Sequence, residues 1–263
     1  MRKDYGVLYK KYFLINIKSI MVYDLDYLLG IIAMILKSGV NFCMLLLLFQ
    51  LVDEVNGWTF DEMLFLYGIG TVSYSLWHCF FIDIITIPTY IQTGELDRFL
   101  LKPVDPLFQI MMEAFDEDGW GELIFGIIVL IMSIVRLDII SPKLIVLPFF
   151  CISGCLIFAA ITIFFSSIAF YTIGNVDMTD NVMDFREVIK YPLNIYNNFI
   201  QILFTFFIPI AFIAYYPGLW YLDKKVDMSL NMMFFGIPVS ILFFSLAWIW
   251  WHHALKKYSS SGQ

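Results

Sequence analysis

Long runs without a charged residue dominate this sequence. They extend over Met63–Ile82, Leu144–Val176, Tyr191–Leu222 and Leu230–Leu255. A helix needs roughly 20 apolar residues to cross about 30 Å of hydrocarbon, so each run is long enough to span a bilayer. Of the 263 residues, 60% are hydrophobic and 15% are charged, whereas soluble domains average about 45–50% and about 25%. The sequence therefore predicts an all-α polytopic membrane protein.

The apolar pattern resolves into six transmembrane spans that follow an amphipathic start. The predicted spans are Leu28–Val52, Phe60–Asp83, Trp120–Val135, a stretch within Leu144–Gly174, Tyr196–Tyr216 and Phe234–Trp251. Residues from Tyr5 to Val22 interleave lysines with apolar side chains, which is typical of a helix that lies in the headgroup plane. We therefore divide the chain into an N-terminal segment (1–24), a membrane domain (25–255) and a tail (256–263).

Local signals mark the ends and irregularities of these spans. Thr59 and Glu62 have the spacing of a capping box, which predicts a helix start near Phe60. Pro209 and Pro238 predict kinks, because proline cannot donate a backbone hydrogen bond. Eleven of the sixteen lysines and arginines lie on the side that holds both termini, and Arg186 and Lys190 are counted among them. This excess predicts that both termini are cytoplasmic.

Few residues inside the spans could carry chemistry. The strongly ionisable ones are Lys37, Asp83 and Glu122, and a charge within a span is a functional candidate. Asp83 and Glu122 lie at the edges of the apolar region, where a structural role is sufficient. Lys37 leaves two alternatives open: its stem extends toward the inner interface, or its ammonium group lines a transport pathway. His78 is expected to be hydrogen-bonded within the bundle.

The sequence gives no sign of an enzyme or a metal site. Its four cysteines lie in apolar stretches, and we interpret them as packing residues: Cys43, Cys79, Cys151 and Cys155. There is no Gly-x-x-x-x-Gly-Lys-Ser/Thr phosphate loop, so we expect the chain to bind no cofactor itself. No nucleophile–base grouping is present either.

The polar segment at residues 88–106, between spans two and three, is the clearest functional candidate. The preceding helix is expected to end at Gly94, and Glu95–Leu101 fits about two helical turns. Three apolar side chains share one face of these turns, at i, i+3 and i+4: Leu96, Phe99 and Leu100. Such a ridge, flanked by charges, suits docking into a cleft of a soluble partner. The alternative is that the segment only lies on the membrane surface.

The residues from Gly94 to Gln109 read GELDRFLLKPVDPLFQ. They resemble the GELDRxLLxPxxPLFQ signature in the cytoplasmic loop of a subfamily of ABC-2-type ABC transporter permeases. Other stretches resemble the same subfamily in the same order: Asn56–Trp58, Leu64–Gly68, Tyr191–Tyr196 and Ile208–Phe212. The resemblance covers nearly the whole chain. Asp105 departs from the Asn that the family often has, which leaves the role of that position open.

The resemblance implies a fold similar to type V exporters, with an N-terminal elbow helix, six spans and a cytoplasmic coupling helix between spans two and three. It implies that the coupling helix, which docks on a cytoplasmic ATPase subunit, comprises Glu95, Leu96, Asp97, Arg98, Phe99, Leu100 and Leu101. Two such ATPase subunits would bind ATP and Mg²⁺. A second permease subunit, identical or paralogous, would complete the assembly.

The implied function is that of an exporter's membrane subunit in a bacterial plasma membrane, in contact with lipids and not with nucleic acid. A pathway rich in Phe and Met suits an apolar or amphipathic cargo such as a drug, lipid or peptide. The alternative is an ion-coupled secondary transporter, which predicts several mid-membrane carboxylates, broken helices or inverted repeats. The sequence shows no convincing internal repeat.

Overall fold

The structure is a computed structural model, and it describes residues 5–20, 24–113, 116–172, 184–224 and 232–259. These residues form helices joined by short connections, with one isolated bridge between Val55 and Trp58. The helices are α1 Tyr5–Ile20, α2 Asp24–Leu51, α3 Phe60–Phe81, α4 Ile87–Thr93, α5 Asp97–Leu100, α6 Pro106–Met111, α7 Glu117–Arg136, α8 Leu147–Ile168, α9 184–189, α10 Asn198–Ile202, α11 Tyr215–Tyr221 and α12 Gly236–Leu255.

Short 3₁₀ and π turns complete these helices. A 3₁₀ turn at Ile82–Thr86 joins α3 to α4, so that Phe60–Thr93 forms one long apolar element. A π turn at Leu203–Phe207 extends α10. Within the described ranges, five helical elements are long and apolar enough to cross a membrane: Tyr27–Leu51, Phe60–Thr93, Asp118–Arg136, Pro142–Ile168 and Gly236–Leu255.

Helix α3 is the centre of the bundle and packs against α7 and α8. Close approach depends on small residues in the facing helices. A Cβ atom on Gly68 would lie 2.9 Å from the Leu130 Cα atom of α7, and one on Gly154 would lie 2.5 Å from the Ser73 hydroxyl. Small residues of this kind allow helices to pack closely in lipid, where apolar burial contributes little to association. The predicted capping box starts α3, since the Glu62 carboxylate accepts a 2.8 Å hydrogen bond from the Thr59 N–H.

The bundle has two ends, which we name by their connections. The coupling end carries residues 88–106, and the distal end carries the α2–α3 connection (52–59) and the α7–α8 connection (137–146). The distal end is held by ion pairs between Arg136 and Asp61 at 2.5 Å and between Lys143 and Asp223 at 3.0 Å.

Both ends of the described chain lie at the coupling end. In α1, the Tyr5 ring packs edge-on against Phe108 at 5.1 Å. At the other terminus, the Tyr258 hydroxyl donates a 3.0 Å hydrogen bond to Asp97. The chain must therefore cross the bundle an even number of times, and α2, α3, α7, α8 and α12 account for five crossings.

The predicted fifth span, Tyr196–Tyr216, is not one helix. It forms two segments, Asn198–Phe207 and Ile210–Tyr221, which are bent by 79° at Pro209. Both ends of this pair lie at the distal end. The Trp58 indole donates a 3.1 Å hydrogen bond to Asn194, and Lys224 donates to the carbonyl of Gly57 at 2.5 Å. The pair is therefore a hairpin that enters the bundle and returns to the same end.

The described residues just before this hairpin also lead to the distal end. Helix α8 ends at the coupling end, where Phe170 contacts Trp251 at 5.2 Å, and Asn194 lies at the distal end. Along this path α9 packs tightly on α3, because a Cβ atom on Gly70 would lie 2.8 Å from Ile189. Arg186 of α9 is inserted into the bundle, so its assignment to a cytoplasmic loop is wrong.

The two prolines differ in their effect. Pro209 marks the bend of the hairpin. Pro238 is the third residue of α12, which runs without a break from Gly236 to Leu255. The first four N–H groups of a helix have no acceptor within that helix, so a proline there removes no bond. The predicted kink at Pro238 is therefore wrong.

Candidate functional site

The segment after α4 forms the two predicted turns at the coupling end. Helix α4 ends at Gly94, whose φ of 77° lies in the left-handed region that glycine adopts most readily. The N–H groups of Asp97 and Arg98 then donate to the carbonyls of Gly94 and Glu95, each at 3.2 Å. Leu101 closes the last turn by donating to the Asp97 carbonyl at 3.1 Å. We call residues 94–102 the coupling segment.

The apolar ridge predicted for this segment is only partly available to a partner. Leu96 and Phe99 are fully buried within the chain, where they pack with Leu107 of α6 and Trp251 of α12. The prediction that they form an exposed ridge is wrong, because the chain folds back after Pro103 and covers this face. Leu96 and Phe99 instead anchor the segment to the bundle.

The outward surface of the coupling segment carries a smaller apolar pair. Leu100 is 40% exposed and Leu101 is 86% exposed. Three exposed charged residues lie in the same segment: Glu95, Arg98 and Lys102. A largely exposed leucine on a segment that also carries exposed charges suits a docking surface for a soluble protein, since an apolar centre with a polar rim is typical of such interfaces.

Gln109, the last residue of the GELDRFLLKPVDPLFQ stretch, holds the coupling segment in place through two hydrogen bonds. Its buried side-chain amide donates to the carbonyls of Phe99 at 3.0 Å and Val104 at 2.9 Å. Phe99 is in the last turn of α5 and Val104 is in the connection that follows. Pro103, four residues after Phe99, has no N–H to donate, so the Gln109 amide satisfies carbonyls that would otherwise be costly to bury. Sequence reasoning assigned Gln109 no role.

Asp105 links the coupling end to the last span. One carboxylate oxygen caps α6 by accepting from the Phe108 N–H at 3.1 Å. The other lies 2.8 Å from His252 Nε2 in α12, and His252 Nδ1 lies 2.9 Å from the Trp248 carbonyl. Both ring nitrogens of His252 therefore face oxygen atoms of the chain. An Asn would keep the cap but lose this charge-assisted bond.

Asp97 and Arg98 also have partners within the chain. Arg98 forms a 3.0 Å ion pair with Glu113 and stacks over the Phe99 ring at 4.5 Å. Asp97 accepts from Tyr258, and burial together with this contact raises the pKa of the Tyr258 hydroxyl to about 12. The coupling segment is thus tied to the C-terminal residues.

The predicted amphipathic helix is present as α1 and lies against the same end. Besides the Tyr5 contact, the Asn16 amide donates to the carbonyl of Met112 at 3.3 Å. Displacement of the coupling segment would therefore act on α1, on α3 through α4, and on α12.

A second polar site lies inside the bundle, and the sequence analysis did not recognise it. Glu122 of α7, interpreted as an edge residue, is completely buried and forms an ion pair with Arg186 of α9. The Arg186 guanidinium stacks over the Tyr74 ring at 4.7 Å. The Ser38 hydroxyl of α2 donates to Glu122 at 3.4 Å. Three spans and α9 therefore meet at this carboxylate.

His78 extends this cluster toward the coupling end. Its Nδ1 lies 3.6 Å from Glu122 and its Nε2 lies 3.2 Å from Asp116, so the expectation of a histidine bonded within the bundle is confirmed. Burial alone would raise the pKa of Asp116, but hydrogen bonds from His78 and from the Asp118 N–H lower it below its usual value. We call Glu122, Arg186, His78 and Asp116 the buried charged cluster.

The cluster was missed because its partners are distant in sequence. Glu122 and Arg186 fall in different predicted elements, and the polar residues around Arg186 resemble a loop. The one available signal was Glu122 itself, a carboxylate just inside a predicted span with no opposite charge close to it in the sequence. Asp83, the other edge carboxylate, lies in the 3₁₀ turn between α3 and α4.

Lys37 lies on the outer face of α2 and is exposed. Among the described residues it has neither an ion-pair nor a hydrogen-bond partner. Its role in a pathway stays a prediction. The described residues also contain no group of histidines, cysteines and carboxylates that could hold a metal ion.

Comparison with known families identifies this architecture. The model of the ABC-2 family transporter protein matches residues 12–262. The chain belongs to the ABC-2 transporter family. It is therefore a multi-pass membrane protein of the permease type, as its apolar helices indicate. No curated protein and no solved structure matches the chain.

Proposed function

We propose that this ABC-2 protein is the membrane-spanning subunit of an ATP-binding-cassette exporter, driven by separate ATPase subunits at the coupling segment. The observation that carries the proposal is the exposed Leu100–Leu101 pair on a segment held by Gln109, Asp105 and Asp97. ATP and Mg²⁺ would be bound by the ATPase subunits. The loop signature supports export, and the apolar bundle suits a drug, lipid or peptide as cargo.

The braced segment supports a mechanism in which force enters at one place and moves several helices. Its anchors, Leu96 and Phe99, are buried against α6 and α12, so the segment and the inner ends of these helices move together. Closing of the ATPase subunits would displace this unit and tilt α3 and α12 relative to the rest of the bundle. This is a rigid-body transition whose energy comes from outside the chain.

Replacing Leu101 by Glu tests the docking surface. Full burial of a leucine is worth about 1.5–3 kcal/mol, so we expect co-purification of the ATPase subunit and substrate export to fall about tenfold or more. The matched control is Ile140→Glu, because Ile140 is 71% exposed at the distal end. Undiminished ATPase recovery with Leu101→Glu, at normal membrane insertion, would place the docking surface elsewhere.

The buried charged cluster favours an ion-coupled secondary transporter as the second candidate. Titratable groups within a membrane bundle and a broken helix are both features of such proteins. Reconstitution of the purified chain without an ATPase subunit decides between the two. Uptake driven by a proton gradient alone, and abolished by Glu122→Gln, would favour the second candidate over the exporter.

A further inference from the structure

Helix α2 is the most exposed span of the described bundle. Only 17% of its apolar window is buried, compared with 72% for Phe60–Thr93. Its inner face, with Met34, Ser38 and Leu45, packs on the chain. Its outer face carries Lys37 among apolar side chains. The outer faces of α7 and α12 also carry exposed isoleucines and leucines. Contact with lipid is enough to explain those two apolar faces.

Lys37 lies so deep in the span that covering this face with lipid would be energetically unfavourable. It is ten residues from Tyr27 and fourteen from Leu51, the ends of the apolar helix, which corresponds to about 15 and about 21 Å along the axis. The hydrocarbon layer is about 30 Å thick, so Lys37 is close to its middle. A lysine at the centre of a span makes membrane insertion markedly less favourable.

The described chain offers Lys37 no carboxylate. Glu122 is the nearest in depth, but it faces the opposite side of α2 and is already paired with Arg186. Asp61 and Glu62 lie at the distal end, where they pair with Arg136 and Lys224. No carboxylate of the described residues is therefore left to accept from Lys37.

Resting on the proposed function, we infer that the Lys37 face of α2 packs in the membrane against a second permease subunit of different sequence, which presents a carboxylate to Lys37. The described part of a second copy would not provide one. In a two-fold contact each residue of the patch meets a residue of the same patch, and the described residues expose no carboxylate at this depth.

The surroundings of Lys37 fit a helix partner. Ala33, Val40 and Met44 share its face at helical spacing, and all are exposed. Ala33 is small, and a small side chain beside a polar group is typical of contacts between membrane helices.

Site-specific photo-crosslinking in native membranes tests the inference. A photoreactive amino acid replaces Met44 on the Lys37 face, and the control replaces Ile128 on the exposed face of α7. We expect Met44 to crosslink to a different multi-pass protein, at a helix that carries Asp or Glu in its apolar stretch. The control position should give lipid adducts. Products that contain only lipid, only a second copy, or a helix without a carboxylate would overturn the inference.

Charge exchange then tests the ion pair itself. Lys37→Leu should lower the crosslink yield about tenfold or more, because it leaves the partner's carboxylate unpaired. Lys37→Glu combined with the partner's carboxylate→Lys should restore it. A yield that is unchanged or higher with Lys37→Leu would show that the residue faces lipid. Recovery of the ATPase subunit, which depends on Leu101, is measured in the same samples and reports separately on the proposed function.

Discussion

Glu122 and Lys37 carry opposite charges at similar positions along the bundle, yet they differ completely in their surroundings. Ser38, the residue next to Lys37, donates a hydrogen bond to Glu122. Glu122 has Arg186 and His78 around it and no exposed surface, whereas Lys37 is exposed and unpaired among the described residues. The comparison teaches that this chain completes one side of α2 and leaves the other to a partner.

The largest effect is expected from Glu122→Leu. It leaves the Arg186 guanidinium buried without its counter-charge, which typically costs about 3–5 kcal/mol. We expect a corresponding loss in the free energy of unfolding, measured by denaturation in mild detergent. The double variant Glu122→Leu/Arg186→Leu should recover much of the loss, because it removes both charges. If the single variant loses less than about 1 kcal/mol, the pair is not the fixed contact that the comparison assumes.

A smaller effect is expected from Gln109→Leu. The substitution leaves the carbonyls of Phe99 and Val104 without donors, which costs about 1–3 kcal/mol. Because the loss is local, we expect faster hydrogen exchange in residues 99–108, with little change in α7. Gln50→Leu, an exposed glutamine near the end of α2, is the matched control. Exchange that is unchanged in residues 99–108 would argue against a brace at Gln109.

Asp105→Asn should have a weaker effect. The amide oxygen can still cap α6, while the charge-assisted bond to His252 is lost. Because the Asp105–His252 pair is partly exposed, its contribution to stability is about 1 kcal/mol or less. We expect nearly normal stability but less ATP-driven transport per ATP hydrolysed. His252→Gln should reproduce this loss of coupling, and equal coupling in both variants and the wild type would remove the Asp105–His252 link from the mechanism.

The smallest effect on the isolated chain is expected from Lys37→Leu. An exposed side chain without a partner usually changes stability by no more than about 0.5 kcal/mol, so unfolding of the purified single chain should be unaffected. The same variant should weaken assembly in the membrane. A clear loss of stability in the single chain would mean that Lys37 has a partner within it, and the contrast with Glu122 would fail.

The sequence by itself determined the features that depend on neighbouring residues. The length of the apolar stretches predicted α2, α3, α7, α8 and α12, because a helix must be about 20 residues long to cross the bilayer. The capping box at Thr59 and Glu62 marked the start of α3, since its hydrogen bonds join residues three apart. Gly94 marked the end of α4 for the same local reason.

Only the tertiary structure decided which apolar side chains face protein and which face lipid. Both environments favour the same residues, because lipid tails are as apolar as leucine. The pattern therefore could not show that Leu96 and Phe99 are buried while Leu101 is exposed. Nor could it show that the apolar stretch around Pro209 turns back instead of crossing.

The pairing of Glu122 with Arg186 likewise depended on the fold. The two residues are 64 positions apart, and the energy of a buried charge is set by what surrounds it in space. The sequence supplied the charges and the apolar helices. The packing of α2, α3, α7 and α9 decided that Glu122 is paired within the chain and that Lys37 has no partner among the described residues.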